Sequence, residues 1–264
     1  MHEKPGSGPA EKESLTPGDR GLTPWSGFSY IVVNLARFIR PGEVTFSGVN
    51  STPPMLACLL AKKAYDFEFV YINVAGGVQP TPSKIPLSSS DPILSEGSTS
   101  IFANEDFYDL CTRGGMDLCF LGAAQVDGLG RTNVSAIGDW HHPKVRLPGG
   151  GGAAVMLPTA RRAVTWRTEH SRRTMVEKLD FVTAAGGMHG VVTPIAVFVK
   201  RDGRLALQSW HPEASLEEVA QRTGFALDAT DATPTPLPTA REVAALRALD
   251  PEGRFERDAS IRLR

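Results

Sequence analysis

Cysteine is scarce in this chain: three in 264 residues, Cys58, Cys111 and Cys119. None falls in a Cys-x-x-Cys spacing, which argues against a disulfide framework, a thiolate metal site or a dithiol redox centre. No metal ligand set is expected, and a reducing, cytoplasmic setting is. Excess charge is also missing, since 28 Lys and Arg face 29 Asp and Glu for a net charge of -1. Nucleic-acid binding depends on a basic surface that displaces condensed counterions, so it is not expected. No uncharged apolar run approaches the ~18 residues that cross a bilayer, so no membrane association is expected either. Residues 1–25, rich in Pro, Gly, Lys and Glu, lack the apolar core of a signal peptide and read as a disordered or extended arm. Residues 26–264 then form a single domain. A dinucleotide fingerprint, a phosphate loop and a Gly-x-Ser-x-Gly elbow are all lacking, so neither a nucleotide cofactor nor a serine hydrolase is indicated.

What remains is an α/β pattern. Tyr30, Ile31, Leu35, Phe38 and Ile39 recur at helical spacing and stop at Arg40-Pro41-Gly42. Glu43 to Ser47 reads as a strand, Asn50-Ser-Thr52 as a helix cap and Pro53 as a first helical turn. Met55, Leu56, Leu59, Leu60 and Ala64 supply the apolar stripe, which takes in Cys58 as a buried small hydrophobe. Phe67 to Ile72 is the next strand, completing a strand-helix-strand unit and hence a parallel sheet with helices on its faces. Beyond the Pro- and Ser-rich loop from Pro80 to Pro92, a helix containing Phe102, Tyr108 and Leu110 closes at Gly114-Gly115 and leads into a strand at Leu118 to Leu121. Further strands are expected at Thr132–Ile137, Ala163–Arg167, Phe181–Thr183, Val191–Val199 and Leu205–Trp210. Helices follow at Ser215–Arg222 and Thr239–Leu249. The fold class is α/β, an open and mostly parallel sheet with flanking helices.

Four consecutive glycines, Gly149 to Gly152, stand between Pro148 and the helix formers Ala153 to Leu157. Ordering such a run costs backbone entropy. It is either a flexible linker or a loop that brings backbone N–H groups to an anion or a developing oxyanion. The turns Gly48-Val-Asn50-Ser51-Thr52 and Asn73-Val-Ala75-Gly76-Gly77 each follow a parallel strand, where ligands bind in open α/β sheets; the alternative is an ordinary strand-to-helix turn. Asp139-Trp-His-His142 suggests a metal or base only weakly, because adjacent histidines diverge. In Glu169-His-Ser-Arg172-Arg173 the arginines are either a solvated edge or a clamp for a substrate carboxylate.

From Phe120 to Thr183 these pieces fall in a recognisable order. Leu121-Gly-Ala-Ala-Gln125-Val-Asp127, Gly130-Arg-Thr-Asn133 and Ile137-Gly-Asp-Trp-His-His-Pro-Lys144 come first. Gly149-Gly-Gly-Gly-Ala153, Arg172-Arg173 and Asp180-Phe-Val-Thr183 follow. The chain resembles the β subunits of class I CoA-transferases, of the glutaconate CoA-transferase type, with weaker similarity from about Tyr30 to Pro251.

The resemblance implies an α-subunit partner in a heterodimer or α2β2 assembly, with the active site at their interface. It implies coenzyme A as part of the substrate, with no covalently bound cofactor. The thioester oxygen would meet the amides of Gly150, Gly151 and Gly152, and the binding surface would include Gly48, Asn50, Ser51, Asn73, Ala75, Gly76, Gly77, Gln125, Gly149 and Ala153. In such transferases a glutamate at the end of the second parallel strand, two residues before a glycine, attacks the thioester. Counting back from Gly76 gives Val74 and from Gly77 gives Ala75, neither of them a carboxylate. The resemblance with this departure implies decarboxylation of a glutaconyl-type acyl-CoA, whose dienolate charge the glycine-loop amides would hold. Transfer or ring-opening hydrolysis with a catalytic group from the α subunit is one alternative. A non-catalytic acyl-CoA-binding scaffold is another.

Overall fold

The computed structural model describes residues 26–257; the expected arm at 1–25 lies outside the described residues. In chain order the first elements are α1 (Gly27–Ala36), β1 (Val44–Ser47), α2 (Thr52–Ala64), β2 (Val70–Asn73), β3 (Gly77–Val78) and β4 (Ser100–Ile101). Then come α3 (Asn104–Thr112), β5 (Leu118–Gly122), β6 (Gln125–Asp127), β7 (Thr132–Asn133), β8 (Ala136–Gly138), β9 (Pro143–Arg146) and α4 (Ala153–Thr159). The remainder is β10 (Arg162–Trp166), β11 (Met175–Val176), β12 (Met188–Val192), β13 (Ala196–Arg201), β14 (Arg204–Trp210), α5 (Leu216–Arg222), β15 (Thr233–Pro234) and α6 (Ala240–Leu249).

Ten strands form one sheet in the order β15-β14-β13-β12-β10-β5-β1-β2-β3-β4. Its centre, β12-β10-β5-β1-β2, is parallel, and β13, β3 and β4 add antiparallel flanks. The central strands are largely buried and mostly apolar, most completely in Leu118-Cys-Phe-Leu121, because both faces are covered. On one face α1, α2 and α6 pack Ile31, Leu35, Leu56, Leu60 and Leu249 against Phe120 and Val164. On the other, Phe107 of α3, Met156 and Leu157 of α4 and the β6-β7-β11 sheet pack against Phe46, Cys119 and Phe198. Among the described residues no helix is long and apolar enough to cross a membrane.

The expected strand-helix-strand unit is present, with Val44 opposite Val70 and Ser47 opposite Asn73 in parallel register. Several expectations need correction. The first helix ends at Ala36 instead of Ile39, because Phe38 N–H and Ile39 N–H turn back to Leu35 O and Ala36 O in the tighter i to i+3 pattern before Pro41. Phe181–Thr183 is no strand; its neighbour Ala184 makes one isolated bridge to Thr132. Val191–Val199 is two strands, split where Thr193 and Pro194 turn the chain into the antiparallel pair β12-β13. Thr132–Ile137 likewise divides between β7 and β8, which belong to different sheets. Ser51 occupies the helix cap position, yet its hydroxyl donates to Val49 O and does not cap α2.

The helical layer is pinned by one buried acid. Glu242 of α6 receives Arg37 Nε and Nη2 at 2.9 Å, Tyr65 Oη at 2.8 Å and the Thr239 N–H at 2.7 Å. Every oxygen of the carboxylate is thereby matched, which a buried charge requires.

Candidate active site

The carboxyl ends of β1, β2, β5 and β10 open onto a cavity of about 710 Å³. That is the position at which open α/β sheets bind ligands, because strand-end backbone groups and the following loops face a common crevice. Its walls are largely apolar. Phe46 stacks on Phe107 at 4.1 Å between ring centres, and Met156, Phe120 and Trp166 continue the surface.

After β1 the chain turns through Asn50 in the left-handed region, φ 51°. Ser89 holds this turn from outside the local sequence: its Oγ donates to Gly48 O at 2.9 Å and accepts from the Ser51 N–H at 2.8 Å. Gly48, Asn50 and Ser51 all line the cavity.

After β2, Asn73 is fully buried and organises the turn. Its Nδ2 donates to Leu94 O at 2.9 Å, and its Oδ1 accepts from the Ala75 N–H at 2.9 Å and the Gly77 N–H at 3.4 Å. Gly76 has φ 93°, and a Cβ on Gly77 would stand 2.7 Å from Leu94 O, so both positions need glycine. The turn sends Val74 into the cavity wall, whereas Asn73, Ala75, Gly76 and Gly77 lie outside the lining. Asn73 is therefore a scaffold for Val74 and not a contact residue.

The glycine loop crosses the opposite side. Leu147 and Gly149 N–H groups are tied to Ser135 O and Val134 O at 3.0 and 2.8 Å, anchoring the loop to the segment joining β7 and β8. Thr183 braces that anchor, accepting the Val134 N–H at 3.0 Å and pairing with Ser135 Oγ at 2.7 Å. Gly149 (φ 95°) and Gly151 (φ 47°) take left-handed conformations, and the bonds to Ser135 O and Val134 O make the run a tethered loop. Gly149 to Ala153 all line the cavity. The Ala153 N–H is committed to Gly150 O at 2.8 Å, while no described residue accepts from the amides of Gly150, Gly151 or Gly152. The helix that follows is only seven residues long and carries Pro158 inside it, so its dipole is short.

Other candidates fall elsewhere. Gln125 is buried in a network with Asn133 Nδ2 at 2.9 Å and Arg173 O at 3.3 Å, outside the cavity lining. Arg172 and Arg173 are exposed; Arg173 meets Glu169 on the surface, and neither lines the cavity, which overturns them as a clamp there. Asp139 accepts the His141 and His142 N–H groups in the β8-β9 turn, where Trp140 stacks on Phe181 at 4.3 Å and Arg146 lies over Trp140. Cys58 is wholly buried, and burial raises its thiol well above the ordinary range, so it is inert. Among the described residues no group of three or more His, Cys, Asp or Glu is arranged to hold a metal ion.

Two features of the site escape a reading of the sequence alone. Arg167, expected only as the end of a strand, lines the cavity, and among the described residues no Asp or Glu lines it. The ends of the described chain also meet there: Phe28 and Phe255 both face the cavity. Ser26 Oγ donates to Glu256 at 2.9 Å, Ser29 Oγ donates to the same oxygen, and Arg254 Nη2 reaches Ile85 O at 3.2 Å.

Comparison with known proteins gives a consistent picture. The family profile described as Coenzyme A transferase matches residues 28–220. The B subunit of 3-oxoadipate CoA-transferase from Pseudomonas knackmussii is 32% identical, over 87% of this chain and 95% of that one. The B subunit of glutaconate CoA-transferase from Acidaminococcus fermentans is 27% identical, over 84% and 92%. Among solved structures, that of the decarboxylase AibA/AibB superposes with a TM-score of 0.82 at 33% identity, covering 88% of this chain and 98% of the other.

Proposed function

Because the chain belongs to the coenzyme A transferase family, we propose that it is the β subunit of a heteromeric enzyme that binds an acyl-CoA thioester and decarboxylates a glutaconyl-type acyl group. The observation that carries this reading is the retained glycine loop beside a cavity that no described carboxylate lines, with Val74 where the family's nucleophilic glutamate is expected. An aliphatic side chain cannot displace CoA from its thioester, so ping-pong transfer has no nucleophile at this position.

Decarboxylation needs none. The bond between the terminal carboxylate carbon and its neighbouring methylene breaks, and carbon dioxide leaves. The electron pair enters the conjugated double bond and comes to rest as a dienolate on the thioester oxygen. Protonation at carbon by a group of the partner or by water then gives the monocarboxylic enoyl-CoA. The amides of Gly150, Gly151 and Gly152, unclaimed by any described residue, would donate to that oxygen as its charge develops. Preorganised donors of this kind are worth about 3 kcal/mol each when the charge is sequestered from water. The apolar wall of Phe46, Phe107 and Met156 supplies that sequestration. An α subunit closing the open side, as a heterodimer or α2β2, completes the site; the B-type relatives and the two-component decarboxylase support this assembly.

The test is product analysis on the assembled enzyme with glutaconyl-CoA. The expected result is one carbon dioxide and one crotonyl-CoA for each thioester consumed. Exchange of labelled CoA between acids through a borohydride-sensitive protein adduct would mean transfer and would sink the proposal. Solvent oxygen in a new carboxylate without carbon dioxide release would mean hydrolysis and would sink it equally.

A further inference from the structure

Among the described residues lining the cavity, one side chain carries a formal charge: Arg167. It leaves the sheet one residue beyond β10, where its N–H bonds to Val192 O at 3.0 Å and fixes the origin of the side chain. Nη1 donates to Ala123 O at 2.8 Å. Nε is buried and has no partner, and no described residue accepts from Nη2. On a guanidinium these two nitrogens present the parallel pair of N–H bonds that fits both oxygens of a carboxylate. In the same wall Trp166 Nε1 is also buried without a partner. Glu169 does not fill the fork, since its carboxylate accepts from Ser171 Oγ at 2.6 Å and Arg173 at 3.3 Å. Burial lowers the pKa of Arg167, and the Glu169 charge works in the opposite direction without a hydrogen bond. A cationic donor edge without acceptors beside an apolar pocket is unfavourable until an anion reaches it.

We propose that Arg167 is the specificity-determining residue of this cavity, receiving the free carboxylate of a dicarboxylic acyl-CoA on Nη2, with the buried Nε aligned beside it, while the thioester lies against the glycine loop. This rests on the acyl-CoA reading of the cavity, though not on which reaction occurs there. A carboxylate fits better than the phosphates of CoA. The seat offers a single cation set among Ala123, Ala124 and Trp166, whereas a diphosphate carries more charge and hydration than one arginine offsets. In decarboxylation the carboxylate leaves as neutral carbon dioxide, so this contact is strongest in the ground state. Arg167 then governs KM and selectivity and does not accelerate the chemical step.

The test measures binding and needs no turnover. The assembled enzyme is titrated with glutaryl-CoA and with pentanoyl-CoA, saturated thioesters that differ by the terminal carboxylate and cannot form a dienolate. Wild-type protein is expected to prefer glutaryl-CoA by about tenfold or more, the scale of hydrogen bonds to a charged group. R167Q is expected to abolish the preference with pentanoyl-CoA affinity unchanged, which also reports that the variant is folded, and R167K to retain part of it. Equal wild-type affinities for the two thioesters would overturn the proposal while leaving the acyl-CoA reading intact. An equal loss for both in R167Q would assign the arginine to a CoA phosphate and overturn it too. Failure of the wild type to bind either thioester would remove the acyl-CoA reading itself, and the proposal with it.

Discussion

Restoring a carboxylate at the end of β2 by V74E tests whether its absence decides the chemistry. Val74 is half-buried against the cluster around Phe46 and Met156, so the substitution forfeits part of one valine's burial, about 1 kcal/mol, and the protein should still fold. The introduced group would point into a cavity whose described lining carries one charge, Arg167, at the end of β10. From β2 to β10 the sheet order passes β1 and β5, three strand intervals, or about 14 Å at ~4.8 Å each. At an effective dielectric constant of about 20 that separation gives about 1.2 kcal/mol of attraction, somewhat under one pKa unit. This offsets part of the desolvation that raises a carboxyl in an apolar pocket, and the open side of the cavity limits the rest. The introduced carboxylate is therefore expected to be ionised at neutral pH and competent to attack the thioester. Attack expels CoA thiolate and leaves an acyl-glutamyl anhydride; the thiolate then attacks the glutamyl carbonyl, releasing the acid and leaving a protein-bound CoA thioester. Intact mass spectrometry after incubation with an acyl-CoA should show this adduct on V74E and not on the wild type, and borohydride should consume it. An adduct on the wild type would refute the missing-nucleophile reasoning. An adduct on A75E but not on V74E would refute the assignment of Val74 as the residue facing the substrate.

Other expectations follow from the same geometry. G151A forces a Cβ onto a residue at φ 47° with nothing within 4 Å of it, so it should cost only about 1 kcal/mol of stability in a denaturant titration. Because Gly151 lines the cavity, the added methyl enters that open space beside the loop amides and should lower kcat by about tenfold or more, and an unchanged kcat would remove the loop from catalysis. E242A leaves Arg37 and Tyr65 facing a buried vacancy and should destabilise the helical layer by about 3 to 5 kcal/mol, read as a shift in denaturation midpoint. His170, between Thr193 and Thr223, and His211, on Pro194 O, are both buried and pushed down to about 4, chiefly by burial. Their folded values lie below the unfolded 6.5, so the stability they contribute is complete above that pH. It is lost as pH falls from 6.5 towards 4, by up to roughly 3 kcal/mol each. A melting temperature that stays flat across that interval would contradict both assignments.

The parallel centre of the sheet was legible because its strands Val44–Ser47 and Val70–Asn73 are short, β-branched and aromatic stretches on either side of the helix Thr52–Ala64, bounded by glycine and proline. The glycine loop announced itself by composition. Periodicity could not separate Val191–Val199 into two strands, since both are equally apolar and the turn at Thr193-Pro194 is a single local event. Phe181–Thr183 has the composition of a strand, yet its Thr183 side chain is spent bracing Val134 and Ser135. Nor could spacing tell that Asn73 points inward as a turn brace while Val74 faces the cavity. That division depends on Leu94, supplied from 21 residues away. Arg172 and Arg173 drew attention as a pair, but the cation in the cavity is Arg167. Its significance lies in which nitrogens are left without acceptors, and a sequence does not record that.

The contact between Ser26 and Glu256 joins residues 230 positions apart, and Phe28 and Phe255 on either side of it both wall the cavity. During synthesis at about 5 to 20 residues per second, the two sides of that wall emerge roughly 10 to 50 s apart. Until the second arrives, this wall of the cavity is incomplete. The cavity is therefore closed by both ends of the described chain, and its wall is complete only once nearly all of the described residues have been synthesised.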